Sequence, residues 1–205
     1  MSGERFVLAT ANPDKAREIA EVLSGAGIVL DPRDPSTPDV EETGATLEEN
    51  ARLKAIAIAA GTGRPAIADD TGLEVDALGG APGVRSARFA GADASYADNV
   101  HRLLERLAGV EGRDRSARFA TVAIARWPDG HEIVAIGTVE GVIAPTPRGS
   151  GGFGYDSVFV PVEGDGRTFA EMTPEEKHAL SHRGRAFRSL AEGVLTSTAT
   201  DGPTA

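Results

Sequence analysis

The sequence predicts a single α/β domain, and three observations carry that prediction. Residues 5–27 read as strand, tight turn and helix. Two later segments open on capping signatures, Thr46 with Glu49 and Thr173 with Glu176, that satisfy the free N–H groups of a helix start. Two apolar runs, 117–127 and 132–142, flank Pro128-Asp129-Gly130, the pattern of a β-hairpin. A length of 205 residues fits one domain with room for two lobes, and 40% hydrophobic residues can fill a sizeable core.

Composition excludes several classes. No apolar run approaches the length of a membrane-spanning helix. Met1 to Ala9 shows no basic stretch followed by an apolar one, so no secretory signal is expected. The absence of cysteine removes disulfide and thiol chemistry. A net charge of −10 opposes binding to a nucleic-acid polymer, which needs a basic footprint, but not to a small anion held by a few cations.

Taken in order, Arg5 to Ala9 predicts the first strand. Asn12 is a good N-cap and Pro13 suits the first helical position. Ala16, Ile19, Ala20, Val22, Leu23 and Ala26 then fall at helical spacing, and Gly27 stops the helix. This helix start offers unpaired N–H groups, a partial positive charge and Lys15, which together suit a phosphate. An ordinary strand–helix connection with a surface lysine is the commoner use of such a turn. Asp14 would repel a phosphate unless it points away.

Ile28 to Leu30 reads as a short strand, followed by a loop with Pro32, Pro35 and Pro38. Thr46 to Ala60 predicts a helix that Gly61 ends. Asn50 and Lys54 interrupt the stripe formed by Leu47, Ala51, Ala55 and Ile58. A polar pair on a core-facing stripe needs partners, and a buried lysine needs an anion; a lysine snorkelling at the stripe edge is the alternative.

The stretch from Ala68 to Gly91 organises the chain. Asp69 and Asp70 are read at the end of a short strand, 65–68, followed by Thr71 and Gly72. Adjacent carboxylates repel unless a cation neutralises them. Hard oxygen ligands suit Mg²⁺, which takes one or two carboxylates plus substrate phosphates. A polar turn with solvated aspartates is equally compatible with the motif alone.

Ser95 to Leu107 predicts an amphipathic helix. The glycine-rich segment 145–155 has the GxGxxG spacing at Gly149, Gly151 and Gly154, but a strand (157–160) follows where a dinucleotide site needs a helix. It is read instead as a loop presenting Phe153, Tyr155 and Asp156, where an aromatic ring can stack on a base or simply anchor the loop. Thr173 to Leu180 predicts a short helix, Ser181-His182-Arg183-Gly184 a break, Arg185 to Leu195 a last helix, and Thr196 to Ala205 a polar tail. The break disfavours a metal pair at His178 and His182.

These motifs carry a resemblance. Thr10-Ala11-Asn12-Pro13-Asp14-Lys15, Glu41-Glu42-Thr43-Gly44, Glu49 to Ala55, Asp69 to Leu73, Gly80 to Gly83, Gly152 to Asp156 and Ser181 to Gly184 together resemble the inosine triphosphate pyrophosphatase family, also called Ham1-like, over residues 6–195. The resemblance implies an α/β fold with a mixed, elongated central sheet flanked by helices, and two lobes around an active-site cleft. It implies a domain covering 1–198, with 199–205 as a disordered tail. It implies a cytoplasmic homodimer that hydrolyses ITP, dITP and XTP to the monophosphate and pyrophosphate with Mg²⁺, bound neither to a membrane nor to a nucleic-acid polymer. By position, Asp70 matches the catalytic acidic residue and a candidate metal ligand, and Glu41 the metal-binding glutamate. Thr10, Ala11, Asn12, Pro13, Asp14 and Lys15 match a triphosphate-binding turn, and Lys54 a phosphate-facing lysine. Thr71, Phe153, Gly154, Tyr155, Asp156, Lys177, His182 and Arg183 match a nucleotide-binding set. Ala11 stands where glycine is common, Thr71 where serine is, Arg85 where tyrosine is and Ser157 where proline is.

On this reading Lys177 and Arg183, obligate donors, suit the 6-oxo group of hypoxanthine or xanthine and leave adenine's 6-amino group unmatched. Two other functions share parts of the pattern. A nucleotide sensor would not need the Glu41 and Asp70 carboxylates. A pyrophosphatase of modified pyrimidine nucleotides would not be expected to carry Ser181-His182-Arg183.

Overall fold

The computed structural model describes residues 4–200, without the side chains of 198–200. The strands are β1 (Glu4–Leu8), β2 (Ile28–Pro32), β3 (Ala66–Val75), β4 (Pro82–Gly83), β5 (Ser116–Arg126), β6 (Glu132–Ile143) and β7 (Phe159–Pro161). The helices are α1 (Pro13–Leu23), α2 (Leu47–Thr62), α3 (Tyr96–Arg106), α4 (Pro174–Leu180) and α5 (His182–Thr200). One mixed sheet runs in the order β2-β1-β3-β5-β6-β7, with β4 paired to β3. β1 lies parallel to β2 and β3, while β3–β4 and β6–β7 are antiparallel. This is the mixed α/β sheet with flanking helices that the resemblance implies.

Two compact units divide the chain. Unit 1 holds the residues through Asp70, Val122–Gly137 and those from Arg183 on; unit 2 holds Thr71–Thr121 and Thr138–His182. The period-2 pattern of the strands explains the interior of unit 1. Phe6, Leu8 and Ile67 face one way, onto Ile19 and Leu23 of α1 and Phe187, Leu190 and Val194 of α5. Val7, Ala9, Ala66 and Ala68 face the other way, onto Ala51, Ala55 and Ile58 of α2. Each of the larger buried side chains contributes roughly 1.5–3 kcal/mol. In unit 2, Leu73, Val75, Phe119, Phe159 and Phe169 pack with Leu103 of α3 and with Leu107, the residue that caps its C-terminus. The hairpin predicted at Pro128-Asp129-Gly130 joins β5 to β6, closed by the Trp127 N–H to His131 O at 2.9 Å. Trp127 is a packing residue: its ring lies 5.3 Å from Phe6 and its indole N–H donates to Glu4.

Several boundaries differ from the sequence expectation. α1 ends at Leu23 rather than near Ala26. α2 runs through Gly61 to Thr62, because Gly63, at φ 64°, takes the left-handed position that ends a helix. α5 begins at His182, since one extended residue, Ser181, suffices to separate it from α4. It continues to Thr200, past the expected start of the tail; the rest of that tail, 201–205, lies outside the described residues. The largest difference is β3, which passes straight through Asp69 and Asp70 instead of ending before them.

Candidate functional site

The passage of β3 through the two aspartates determines their chemistry. Successive residues of a strand point to opposite faces. Asp69 shares the face of Ile67, toward α1; Asp70 shares the face of Ala66 and Ala68, toward α2. Each meets its own lysine. The Lys15 ammonium is 3.0 Å from Asp69 Oδ2, and the Lys54 ammonium is 3.4 Å from Asp70 Oδ1.

The helix starts explain how those lysines arrive. Asn12 caps α1 by accepting from the Asp14 and Lys15 N–H groups, with Pro13 in the first turn. The Thr10 hydroxyl accepts from the Asn12 N–H at 3.1 Å. Asp14 is turned onto Arg17 at 3.0 Å. Thr10 and Ala11 also line a cavity of about 610 Å³ with Arg33, Thr37 and Asp39. On α2, the Thr46–Glu49 capping box forms as predicted. Asn50, fully buried, donates to Asp70 Oδ2 at 3.2 Å and accepts from the Gly44 N–H at 2.8 Å. Lys54 reaches Glu42 at 2.7 Å as well as Asp70. Both polar interruptions of the α2 stripe therefore converge on one carboxylate, and the buried-partner reading of Lys54 is the correct one.

The two aspartates titrate in opposite directions. Burial raises Asp70, and repulsion from Glu42 and Asp69 adds to it; Lys54 and Lys15 offset only part. Burial would raise Asp69 too, but Lys15, then Arg183 and Lys54, outweigh it and hold its carboxyl at about 2. Lys54 loses from burial yet ends above its ordinary value, because Asp70, Asp69 and Glu42 favour its charge. Neighbouring titratable groups driven apart in this way mark an acid–base division of labour. Its surroundings favour Asp69 as an anion and leave Asp70 the more basic of the two carboxyl groups.

Glu41 is exposed, and its neighbour Glu42 is the glutamate tied to Lys54. Among the described residues no group of three or more His, Cys, Asp or Glu side chains forms a ready metal cage. The donor set still fits a Mg²⁺ ion that arrives with substrate phosphates. Asp70 is a hard oxygen donor with neighbouring carboxylates, and octahedral Mg²⁺ needs only one or two of them.

In unit 2 the glycine-rich segment forms a braced loop. The Asp156 carboxylate accepts from the Phe153 N–H at 2.7 Å and from the buried Lys177 ammonium at 2.5 Å. Lys177 lies 5.1 Å from the centroid of the Phe153 ring. Gly152, at φ 66°, leaves room for this arrangement; an added Cβ would land on the Asp156 carboxylate. Gly154 follows at φ 61°. Tyr155 points inward, its hydroxyl donating to Ser86 O at 2.9 Å, and burial raises its pKa. His182 is buried and stacked 4.4 Å from Phe119 with the rings 15° apart. The Thr71 hydroxyl is 2.7 Å from that of Thr121. Arg183, in unit 1, donates from Nη1 to Glu18 of α1 at 2.5 Å.

The structure thus brings together Lys15, Lys54 and Asp70 in unit 1, and Phe153, Gly154, Tyr155, Asp156 and Lys177 in unit 2. Glu18, Glu42, Asn50 and Asp69 are site neighbours that the sequence reading did not assign. Asn50 left a signal as a polar residue on an apolar stripe, Asp69 as one of two adjacent carboxylates and Glu42 as a member of the Glu41-Glu42-Thr43-Gly44 motif; Glu18 left none.

Comparisons with known proteins agree on one family. The sequence profile described as the Ham1 family matches residues 6–193. A dITP/XTP pyrophosphatase from Symbiobacterium thermophilum is 50% identical over 192 residues, covering 94% of this chain and 95% of that protein. A dITP/XTP pyrophosphatase from Thermus thermophilus is 50% identical over 204 residues, covering 99% and 95%. The solved structure of a Ham1 protein from Coxiella burnetii superposes with a TM-score of 0.84 at 44% identity, covering 95% of this chain and 99% of that one.

Proposed function

The chain belongs to the Ham1 family, and on that premise we propose that it hydrolyses dITP, ITP and XTP to the monophosphate and pyrophosphate. The observation that carries the mechanism is the pair of neighbouring aspartates on opposite faces of β3, one held ionised and one made more basic.

Asp70 takes the proton of the water that attacks the α-phosphorus. A carboxylate with a raised pKa is a better acceptor, and such general-base help contributes about 10²–10⁴-fold. Asp69 keeps Lys15 extended beside the first turn of α1. The Lys15 and Lys54 ammonium groups hold the triphosphate, which lies against the turn from Thr10 to Lys15 at the positive end of the α1 dipole. Asp70 and Glu41 would hold a Mg²⁺ ion, leaving Glu42 on Lys54. Such an ion would supply neutralisation of phosphate charge and so favour pyrophosphate as leaving group. Phe153 stacks on the base, and Lys177, Arg183, His182 and the loop Gly154 to Asp156 complete its surroundings with Thr71. Lys177, held by Asp156, and Arg183, held by Glu18, are obligate donors suited to a 6-oxo group. The reading treats residues 1–198 as one functional domain, working as a cytoplasmic homodimer. Among the described residues no helix is long and apolar enough to cross a membrane.

Pyrophosphate release from a panel of dITP, ITP, XTP, GTP, ATP and dTTP with Mg²⁺ tests the proposal. We expect dITP, ITP and XTP to turn over at least a hundredfold faster than ATP and dTTP. Equal rates on ATP or dTTP would refute the base-recognition argument.

A further inference from the structure

On the proposed function Phe153 stacks on the base, and it sits in a chain segment rich in glycine. Gly151, Gly152 and Gly154 flank it, the last two with positive φ. Its own backbone is fixed to Asp156 at both ends, the Phe153 N–H donating to the carboxylate at 2.7 Å and the Phe153 carbonyl accepting from the Asp156 N–H at 3.2 Å, and Lys177 covers the ring at 5.1 Å. The ring of Tyr96 lies 5.7 Å from that of Phe153, inclined at 40°. Beside the two rings is a cavity of about 490 Å³, lined also by Val100, His101, Leu104 and Pro147. This cavity gives the Phe153 ring space to swing about its own side-chain bonds, with the Tyr96 ring on its border.

Tyr96 is well suited to limit that swing. It is the first residue of α3, whose start is locked by a reciprocal capping box between Ser95 and Asp98. Asn99, on the same turn, ties the helix to the preceding loop through Ala87 O at 3.0 Å and the Ala90 N–H at 2.8 Å. Tyr96 as a residue is 41% exposed, so it is not a core side chain. A rigid helix start thus presents a large ring to the side of the Phe153 ring, whose backbone is braced but whose side chain borders open space.

We propose that Tyr96 is a positioning residue for base recognition, holding the Phe153 ring in the orientation that stacks on the purine. The inference rests on the reading that Phe153 stacks on the base. Aromatic pairs of this geometry change an equilibrium by roughly three- to tenfold. The effect falls on binding of the base and not on the phosphate chemistry.

The test is steady-state kinetics of the full chain with ITP and with ribose 5-triphosphate, which has the same phosphates and no base. The variants are Tyr96→Ala, Tyr96→Phe, Phe153→Ala and the double alanine variant. Tyr96→Ala is expected to raise KM for ITP about three- to tenfold with kcat within about twofold, and to leave kcat/KM for ribose 5-triphosphate unchanged. Tyr96→Phe is expected to restore the ITP value. In the Phe153→Ala background, Tyr96→Ala is expected to add nothing. An unchanged ITP KM in Tyr96→Ala, beside a raised one in Phe153→Ala, would overturn the role of Tyr96 alone. An equal loss on both substrates would also overturn it, as a merely structural effect. An unchanged ITP KM in Phe153→Ala would overturn the stacking reading, and the inference with it.

Discussion

Replacing Lys54 with Met removes the cation closest to Asp70 while keeping the length and most of the volume of the side chain. At 3.4 Å and an effective dielectric constant of 20, a unit pair attracts by about 5 kcal/mol before solvent screening. The same ammonium also serves Glu42 at 2.7 Å, so Asp70 receives only part of it. An opposite charge this close shifts a carboxyl by about 1–3 pK units. Loss of Lys54 therefore raises the Asp70 pKa beyond the elevation that burial already causes. Because the proposed mechanism needs Asp70 ionised, the acid limb of kcat/KM for ITP should move upward by about 1–3 pH units. The plateau should also fall by roughly 10²–10³-fold, through lost stabilisation of phosphate charge. Lys54→Arg keeps a cation and should return the limb toward its original position. The assay is pyrophosphate release across pH at saturating Mg²⁺. An acid limb that stays in place in Lys54→Met, whatever happens to the plateau, would refute the electrostatic coupling between Lys54 and Asp70.

Two further outcomes follow from the same cluster. Glu41→Gln should raise the Mg²⁺ concentration needed for half-maximal activity several-fold, whereas Glu42→Gln should change the acid limb more than the Mg²⁺ requirement; a Mg²⁺ titration of both variants that shows the reverse would exchange the roles of the two glutamates. Asp69 has a folded pKa of about 2 against 3.8 unfolded, so its ionised form contributes on the order of 2 kcal/mol above pH 4, lost as pH falls from about 4 toward 2. Urea unfolding over that window should show a shallower acid loss in Asp69→Asn than in the parent, and identical slopes would contradict the buried Lys15–Asp69 pair.

Much of the architecture was legible because local chemistry decided it. The Thr46–Glu49 and Thr173–Glu176 boxes form as written, and so does the Asn12 cap, since each satisfies helix N–H groups from within its own turn. The interruption of the α2 stripe by Asn50 and Lys54 pointed to a buried anion, which is Asp70. Other features were hidden because they depend on distant partners. Aspartate is a poor strand residue, so the chain seemed to leave the sheet before Asp69. Two lysines from different helices, one on each face, make the strand tolerable there. Ser181 to Gly184 reads as a break because glycine and serine weaken helices, yet Arg183 and His182 are held in the first turn of α5 by Glu18 and Phe119. No local pattern distinguishes Glu42, which meets Lys54, from its neighbour Glu41.

The account stands on Asp70 as the group that activates water, and Asp70→Asn tests that most directly. The amide keeps the size of the side chain and cannot accept the proton as a carboxylate does. With ITP and Mg²⁺, the variant should lose at least about a hundredfold in kcat while its thermal unfolding remains a single transition and it still binds the nucleotide. Turnover within a few-fold of the parent enzyme would contradict the assignment.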